Sequence, residues 1–328
     1  MSSLILNCLE DQIRIIDAEH FVVCGQRYSV SAARASDQDA CDASGESLRS
    51  HYLAEIIFES LFQCRQALQK DAISTTRKLF VSDLSRANLG TGCWDAGWQV
   101  VSTPEDGSVY RVEKHGVIFQ VLPEAVRDVE TFCDRRSVCR VKIPKEYRNL
   151  VPDYYVALGD AGDSCSEAAL GGYIHIFWNL EAGAATTLIR LLTGSLNDLN
   201  VPFRAMVLAS PSEYARSDSA VLVVRLVDLE AASMSIKRVD SCISHNLRDI
   251  APLCTHKLTK GVSIAHSLKA EQGYGIHICT IISMALWQAY ELGTLDSKGY
   301  ANAIAEAFEK EGVEADSPWK LSMQPWFN

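Results

Sequence analysis

The sequence predicts an α+β fold: a mixed, mainly antiparallel sheet packed by helices, with a helical N-terminal part. Short apolar runs bounded by Gly and Pro are typical of strands, and they recur through the second half of the chain. Apolar residues at helical spacing lie between and after these runs, without the regular alternation of a βαβ fold. With 328 residues, 48% of them hydrophobic, the chain can bury one large core or two smaller ones.

We expect residues 1–134 to form the helical N-terminal region with a small β-meander, separate from an α+β core over residues 135–328. A helix is expected first, followed by a hairpin whose two apolar arms meet at Gly25. A polar stretch over residues 36–50 predicts an exposed loop. Apolar residues at helical spacing then predict a helix over residues 51–70. Period-two patterning over residues 98–122, interrupted by a PEDG turn, predicts short strands.

The α+β core is predicted from apolar runs that Pro- and Gly-containing connections separate. Five runs predict strands, at residues 139–143, 154–159, 173–180, 204–209 and 220–226. Apolar residues at helical spacing predict four helices, at residues 182–199, 229–247, 277–292 and 300–310.

Composition excludes several classes of function. A formal net charge of -10 argues against general binding of nucleic acid or acidic lipid. The eleven cysteines form no CxxC pair and no zinc-ligand spacing, so we expect buried, reduced thiols and no metal site. Neither a signal peptide nor a stretch of eighteen apolar residues is present, so a bacterial cytoplasmic protein is expected. No motif indicates an organic cofactor.

The segment LSRANLGTGCWDAGW, residues 84–98, is too rich in Gly, Asn and Trp for a periodic helix or an alternating strand. Its glycines permit tight or positive-φ backbone, and Trp94 and Trp98 give it an apolar anchor. It is therefore expected to be a packed loop. By residue chemistry alone, a structural turn and a functional loop are equally open interpretations.

No standard catalytic signature is present, but small polar clusters bring Arg, Lys and His into the core of an acidic chain. Each cluster alone is more typical of hydrogen-bonded structural residues, and together they suit a phosphate-sized anion. The clusters are His175 with Asn179; Arg204; Tyr214 with Arg216 and Asp218; and Thr255 with His256, Lys257 and Lys260. His277 is expected near the start of a helix, whose amide dipoles favour an anion.

An ordered series of motifs resembles the HopA-type proteins, a family named for a bacterial type III secretion effector. The series runs over residues 84–290: LSRANLG, YYVALGD, HIFWN, VPFR, YARSDSAVL, PLCTHKLTKGVSIAH and GYGIH. The first element is more similar to the family's peptide-maturation branch, the HopA-like lyases of thioamitide and class V lanthipeptide biosynthesis. That resemblance implies a lyase that works with a kinase-like partner. The partner phosphorylates Ser or Thr of a precursor peptide, and the lyase eliminates the phosphate to leave a dehydroamino acid.

Such an elimination requires a base for the Cα proton and cations for the phosphate. The expected phosphate ligands are Arg204 and Arg216, aided by Lys257. Lys260 is the expected base, which needs burial or neighbouring cations to lose its proton. His256 or His277 is the expected acid. The supporting residues are His175, Asn179, Tyr214 and Asp218, with Asp218 expected to orient Arg216.

The chain also differs from the usual family pattern at four positions. His175 stands where the family usually has Arg, and Arg204 where it has Lys. His266 replaces a Glu, and Ile278 replaces an Arg. A second interpretation therefore stays open: a non-catalytic HopA-like effector, secreted into a host cell, or a subunit that recognises a peptide or protein.

Overall fold

The computed structural model contains six α-helices and three antiparallel sheets in the residues that it describes, which confirms the α+β class. Those residues are 9, 11–31, 45–65, 73–103, 108–114, 116–131, 137–148, 150–165, 169–268, 273–294 and 297–320. The expected PEDG turn lies outside them. No helix in these ranges is both long and apolar enough to cross a bilayer.

The helix expected first falls largely outside the described residues. The first strands form a three-stranded meander, β1 (Ile13–Asp17), β2 (His20–Val23) and β3 (Gln26–Ser29). The expected hairpin is confirmed, and its turn residues Cys24 and Gly25 both have positive φ, as two-residue hairpin turns of type I′ require.

The helices that follow differ from the expectation. Helix α1 (Gly45–Ile57) begins inside the stretch that was expected to be loop, and it continues as a π-helix over Phe58–Phe62. Helix α2 (Ile73–Ala87) was not predicted at all. The described part of the first 134 residues also contains seven strands, so a predominantly helical N-terminal part is not confirmed.

A five-stranded sheet follows α2, with strand order β6-β5-β4-β8-β7. Its strands are β4 (Cys93–Ser102), β5 (Tyr110–Lys114), β6 (Val117–Val121), β7 (Val126–Thr131) and β8 (Ser137–Ile143). It encloses a small core of Trp98, Val112, Cys139 and Val141. Strands β7 and β8 pair across the expected boundary at residue 134, and the division into two domains stays a prediction.

A seven-stranded sheet forms the centre of the fold, with strand order β14-β15-β11-β13-β12-β10-β9. Its strands are β9 (Glu146–Tyr147), β10 (Tyr154–Leu158), β11 (Tyr173–Trp178), β12 (Phe203–Leu208), β13 (Ala220–Arg225), β14 (His256–Thr259) and β15 (Val262–Ser267). All five strands expected in the core are present: four of them are β10 to β13 of this sheet, and the fifth, over residues 139–143, is part of β8 in the five-stranded sheet. The hairpin of β14 and β15 was not predicted, because its first strand is polar and only four residues long.

Helices cover both faces of this sheet. One face packs on α2, α3 (Ala185–Asp198) and α4 (Leu229–Ile243), and the other packs on α1, α5 (Tyr274–Glu291) and α6 (Ser297–Lys310). Strand β11 shows how one strand serves both cores. Its even-numbered residues face α3 and α4, and its odd-numbered residues face α5, as the two-residue period of a strand dictates.

The two ends of the seven-stranded sheet serve as reference points for the positions of the polar residues. At one end, Tyr173 of β11 lies opposite Ser267 of β15 and Arg225 of β13; we call this the Tyr173 end. At the other end, Trp178 of β11 lies opposite Ala220 of β13; we call this the Trp178 end.

Candidate functional site

The LSRANLG segment has a structural role that its contacts explain. The buried Asn88 side chain donates hydrogen bonds to the Lys145 carbonyl (3.1 Å) and to the Tyr155 hydroxyl (3.0 Å), and it accepts one from the Gly90 amide (2.9 Å). The Asp160 Oδ1 oxygen accepts hydrogen bonds from the backbone amides of Thr91 and Gly92, at 2.7 and 2.8 Å. These bonds fix the segment to β10 and to the loop after it.

The segment is therefore not one packed loop, as expected, but three different elements. Its first residues end α2, residues 88–92 are loop, and Cys93 begins β4. The tryptophan anchor is present: Trp98 is buried, and the Trp94 ring lies 4.1 Å from the Arg127 guanidinium carbon. Asp160, in the loop after β10, holds the loop of residues 88–92 in place.

Arg216 lies at the Trp178 end, buried in a network of acceptors. Its Nε and Nη2 donate to the two carboxylate oxygens of Asp218, at 2.9 and 3.0 Å, and Nη2 also donates to the Tyr154 hydroxyl at 2.9 Å. Its Nη1 faces Asp153 and Glu213, at 3.4 and 3.5 Å. A phosphate would have to displace one of these carboxylates to reach the guanidinium group.

Three expected site residues of the THKLTKG stretch lie on the hairpin of β14 and β15, and two of them contact other side chains of the protein. Lys257 forms an exposed ion pair with Asp249 at 2.6 Å, and the His256 ring stacks on Trp319 with centroids 5.4 Å apart. Lys260 lies exposed in the turn at the Trp178 end, so the burial expected of a lysine base is not found.

Two supporting residues hold loops at the same end. The Asn179 side-chain amide donates to the Ile250 carbonyl at 3.1 Å, and the Tyr214 hydroxyl donates to the Leu208 carbonyl at 2.8 Å.

Arg204 and His175 lie together on the α5 face, on either side of Val223 in adjacent strands. Arg204 forms an ion pair with Asp163, in which Nε donates at 3.1 Å and Nη2 makes a second, shorter contact. The His175 Nε2 and the Ser267 hydroxyl share a hydrogen bond of 2.8 Å. Burial lowers the pKa of His175 to about 3, with smaller effects from the charges of His266 and Arg204, so its ring is neutral.

A small cavity of about 60 Å³ lies between β15, the first turn of α5 and the C-terminal segment 311–320. Its polar lining residues are His266, Ser267, Tyr274, His277, Glu311 and Lys320. His277 is half-buried in the first turn of α5, whose N-cap, Gly273, has no side chain to occupy the helix end. A helix N-terminus without a cap side chain favours an anion.

His266 is held in one tautomer beside this cavity. Its Nε2 lies 2.6 Å from the Gly171 carbonyl oxygen, which can only accept, so Nε2 carries the proton and Nδ1 is an acceptor. Among the described residues, the buried Nδ1 has no hydrogen-bond partner. Burial lowers the pKa of His266, which the bond to Gly171 partly opposes, so the ring favours its neutral form.

The ten residues predicted from sequence do not form one site. His175, Arg204 and His277 lie on the α5 face, near the Tyr173 end and the cavity. His256 stands on the edge strand β14, and the remaining six lie near the Trp178 end or in the loops beside it: Lys257, Lys260, Asn179, Tyr214, Arg216 and Asp218. Their roles in catalysis stay predictions.

Of the six polar residues that line the cavity, only His277 was predicted from sequence, and His266, Ser267, Tyr274, Glu311 and Lys320 were missed. His266 carried a signal, because it is the one titratable residue in the apolar run VSIAHS and stands where the family usually has Glu. Ser267 and Lys320 carried none, since only the tertiary fold brings the C-terminal segment to β15. Within the described ranges, no three His, Cys, Asp or Glu residues are grouped so that they could hold a metal ion.

Comparisons with known proteins give both the family and two similar structures. An effector protein from Pseudomonas syringae pv. tomato strain DC3000 has a TM-score of 0.49 and 14% identity, and the alignment covers 84% of this chain and 96% of that one. An effector protein from Pseudomonas syringae pv. syringae strain 61 has a TM-score of 0.47 and 12% identity, covering 85% of this chain and 98% of that one. No curated protein matches the chain. The sequence model of the HopA1 effector protein family matches residues 146–319, which include the whole seven-stranded sheet and every residue that lines the cavity except Lys320. Because this match spans more than half of the chain, the protein belongs to the HopA1 effector protein family.

Proposed function

We propose that the protein is a lyase that eliminates phosphate from phosphorylated Ser or Thr of a precursor peptide, and that the cavity beside α5 is its active site. The observation that carries this proposal is the meeting of His266, Ser267, His277 and Lys320 around one cavity at a helix N-terminus. Groups that transfer protons and groups that attract an anion are the two requirements of the reaction.

The elimination needs no group beyond a base and an anion site. The base removes the Cα proton, the C–H electrons form the Cα=Cβ double bond, and the Cβ–O bond breaks with its electrons leaving on phosphate. His277 is the proposed base, because it is half-buried on the cavity wall and histidine is the side chain that most often acts as a general base. The Lys320 ammonium group and the amide dipoles of α5 attract the phosphate.

A cavity of this size admits a phosphate group but no peptide chain. The peptide backbone therefore has to lie outside the cavity and insert one side chain. Because this chain carries no kinase motif, phosphorylation falls to a separate kinase-like partner, with which we propose that the protein forms a complex.

The test is mass spectrometry of a synthetic phosphoserine peptide after incubation with the purified protein, alone and with its kinase-like partner. We expect loss of one phosphoric acid, and a rate about 10²–10⁴-fold lower for His277→Ala. His245→Ala is the matched control, since His245 is exposed in a short 3₁₀-helix. Retention of activity in His277→Ala with its loss in Lys260→Ala would place the chemistry at the hairpin instead.

A second candidate function is recognition without catalysis, as an effector or a peptide-binding subunit. The observation that favours it is the pairing of the three expected phosphate ligands with carboxylates of the chain: Arg204 with Asp163, Arg216 with Asp218, and Lys257 with Asp249. A phosphopeptide that binds but keeps its phosphate, with the kinase-like partner present, would support this function and exclude the lyase.

A further inference from the structure

Three exposed aliphatic residues adjoin the ends of neighbouring strands at the Tyr173 end of the seven-stranded sheet. Leu268 follows β15, Leu170 precedes β11 and Val227 follows β13, and these strands are neighbours. The side chains are 57%, 87% and 61% exposed, in that order. With adjacent strands about 4.8 Å apart, the three span roughly 10 Å. We call them the aliphatic rim.

The turn that carries Leu170 is held rigidly between its neighbours. The Leu226 amide donates to the Gly172 carbonyl at 2.9 Å, and the His266 ring donates to the Gly171 carbonyl at 2.6 Å. Gly172 has φ +86°, and a Cβ there would meet the Ser267 carbonyl oxygen at 2.3 Å. The turn that carries Leu170 is thus fixed before any ligand arrives, which lowers the entropy cost of binding.

The rim is continuous with the cavity, because Leu268 belongs to both. Single exposed apolar residues are ordinary on a protein surface. Here, however, one of them forms the wall of the candidate active site, and the bond from His266 joins the Leu170 turn to that wall.

The size of the rim indicates the kind of occupant. Three aliphatic side chains offer far less than the ~800 Å² that each partner buries in a stable protein–protein interface. A second copy of the chain is therefore a poor occupant. A short extended peptide, which advances about 3.3 Å per residue, crosses the rim with roughly three residues.

We infer that the aliphatic rim binds apolar side chains of the substrate peptide within three residues of its phosphorylated Ser or Thr. The inference rests on the proposed function, because it places the phosphate in the cavity beside Leu268. It makes Leu170, Val227 and Leu268 the residues that select peptides by their flanking sequence, while the cavity selects the phosphate.

The test measures the affinity of two fluorescent phosphoserine peptides, one with Leu at the three positions on each side and one with Ser there. We expect the wild-type protein to bind the Leu peptide about tenfold more tightly, the effect of partly burying one or two aliphatic side chains. Leu170→Ser should remove this preference. Leu79→Ser, at an exposed position of α2, is the matched control and should retain it.

The outcomes separate this inference from the proposed function. If Leu170→Ser loses the preference for the Leu peptide, the proposed binding at the aliphatic rim is supported. If neither peptide loses phosphate in the elimination assay, the lyase proposal fails but the rim inference does not. Equal affinity of the wild-type protein for both peptides overturns the inference that the aliphatic rim binds apolar side chains, even if both peptides lose their phosphate. An unchanged preference in Leu170→Ser, or no binding of either peptide, also overturns it, and the elimination assay then decides the lyase separately.

Discussion

Replacing Arg216 tests whether its guanidinium group supports the fold or binds substrate. The side chain is only 1% exposed, and the bidentate pair with Asp218 is completed by the Tyr154 hydroxyl. In Arg216→Ala, the buried carboxylate of Asp218 would keep only two neutral side-chain donors, the Tyr154 hydroxyl at 2.8 Å and the Gln63 amide at 3.2 Å.

Breaking a buried ion pair from one side costs about 3–5 kcal/mol, because an uncompensated charge remains in the interior. Folded domains have about 5–15 kcal/mol of stability in total, so we expect Arg216→Ala to lose a large part of it. Replacing both partners with apolar side chains of similar size, as in Arg216→Met with Asp218→Leu, should recover most of the loss, since no charge is then buried alone.

Urea unfolding followed by circular dichroism measures both variants, and phosphopeptide binding is measured under conditions in which they remain folded. If the free energy of unfolding of Arg216→Ala fell by less than about 1 kcal/mol and the variant no longer bound phosphopeptide, the structural role would be refuted. Breaking a buried ion pair should cost about 3–5 kcal/mol. Arg216 would then be the phosphate ligand that the sequence predicts.

Three further changes have expected outcomes. Because the pKa of His175 is about 3 in the folded protein and about 6.5 unfolded, unfolding takes up a proton at pH 3–6.5. Its contribution to the free energy of unfolding should therefore fall by about 1.4 kcal/mol per pH unit on acidification, and acid titrations of His175→Asn should show a shallower decline. Burial raises the pKa of Asp240 to about 6, against the hydrogen bond from Trp178. Asp240→Asn should thus stabilise the protein by about 1–3 kcal/mol in urea unfolding at pH 8, and by little at pH 4. Asn88→Ala should cost about 1–3 kcal/mol by leaving buried groups without partners, while the elimination rate per folded molecule stays unchanged.

Each of these predictions can fail in a distinct way. An acid decline of the same slope in His175→Asn would mean that this ring is not kept neutral by the fold. Destabilisation by Asp240→Asn at pH 8 would mean that the ionised carboxylate is favoured beside Trp178. A loss of elimination in folded Asn88→Ala would give the LSRANLG segment a functional role that its contacts do not indicate.

Local patterns predicted four of the seven strands of the central sheet, β10 to β13, each from a run of apolar residues. In β11 the run is apolar at almost every position because alternating residues face two different cores. Helices α3 and α4 were predicted in the same way, from apolar stripes at helical spacing.

Local patterns did not predict the elements that contain few apolar residues. Strand β14 is short and mostly exposed, and it becomes a strand because the apolar β15 offers it an edge. Helix α2 buries only Val81, Leu84 and Ala87 among its described side chains, so it offered a weak stripe.

The sequence by itself determined the family, the α+β class and four strands of the central sheet, since these depend on ordered motifs and on runs of neighbouring apolar side chains. Only the tertiary structure decided which cations already have partners. Asp163, in the loop after β10, pairs with Arg204 of β12, and Asp153 faces Arg216 at the Trp178 end of the sheet. Lys320 reaches the cavity from the C-terminal segment. An ion pair depends on distance in space, and residues far apart in sequence carry no local sign that folding will bring their charges together.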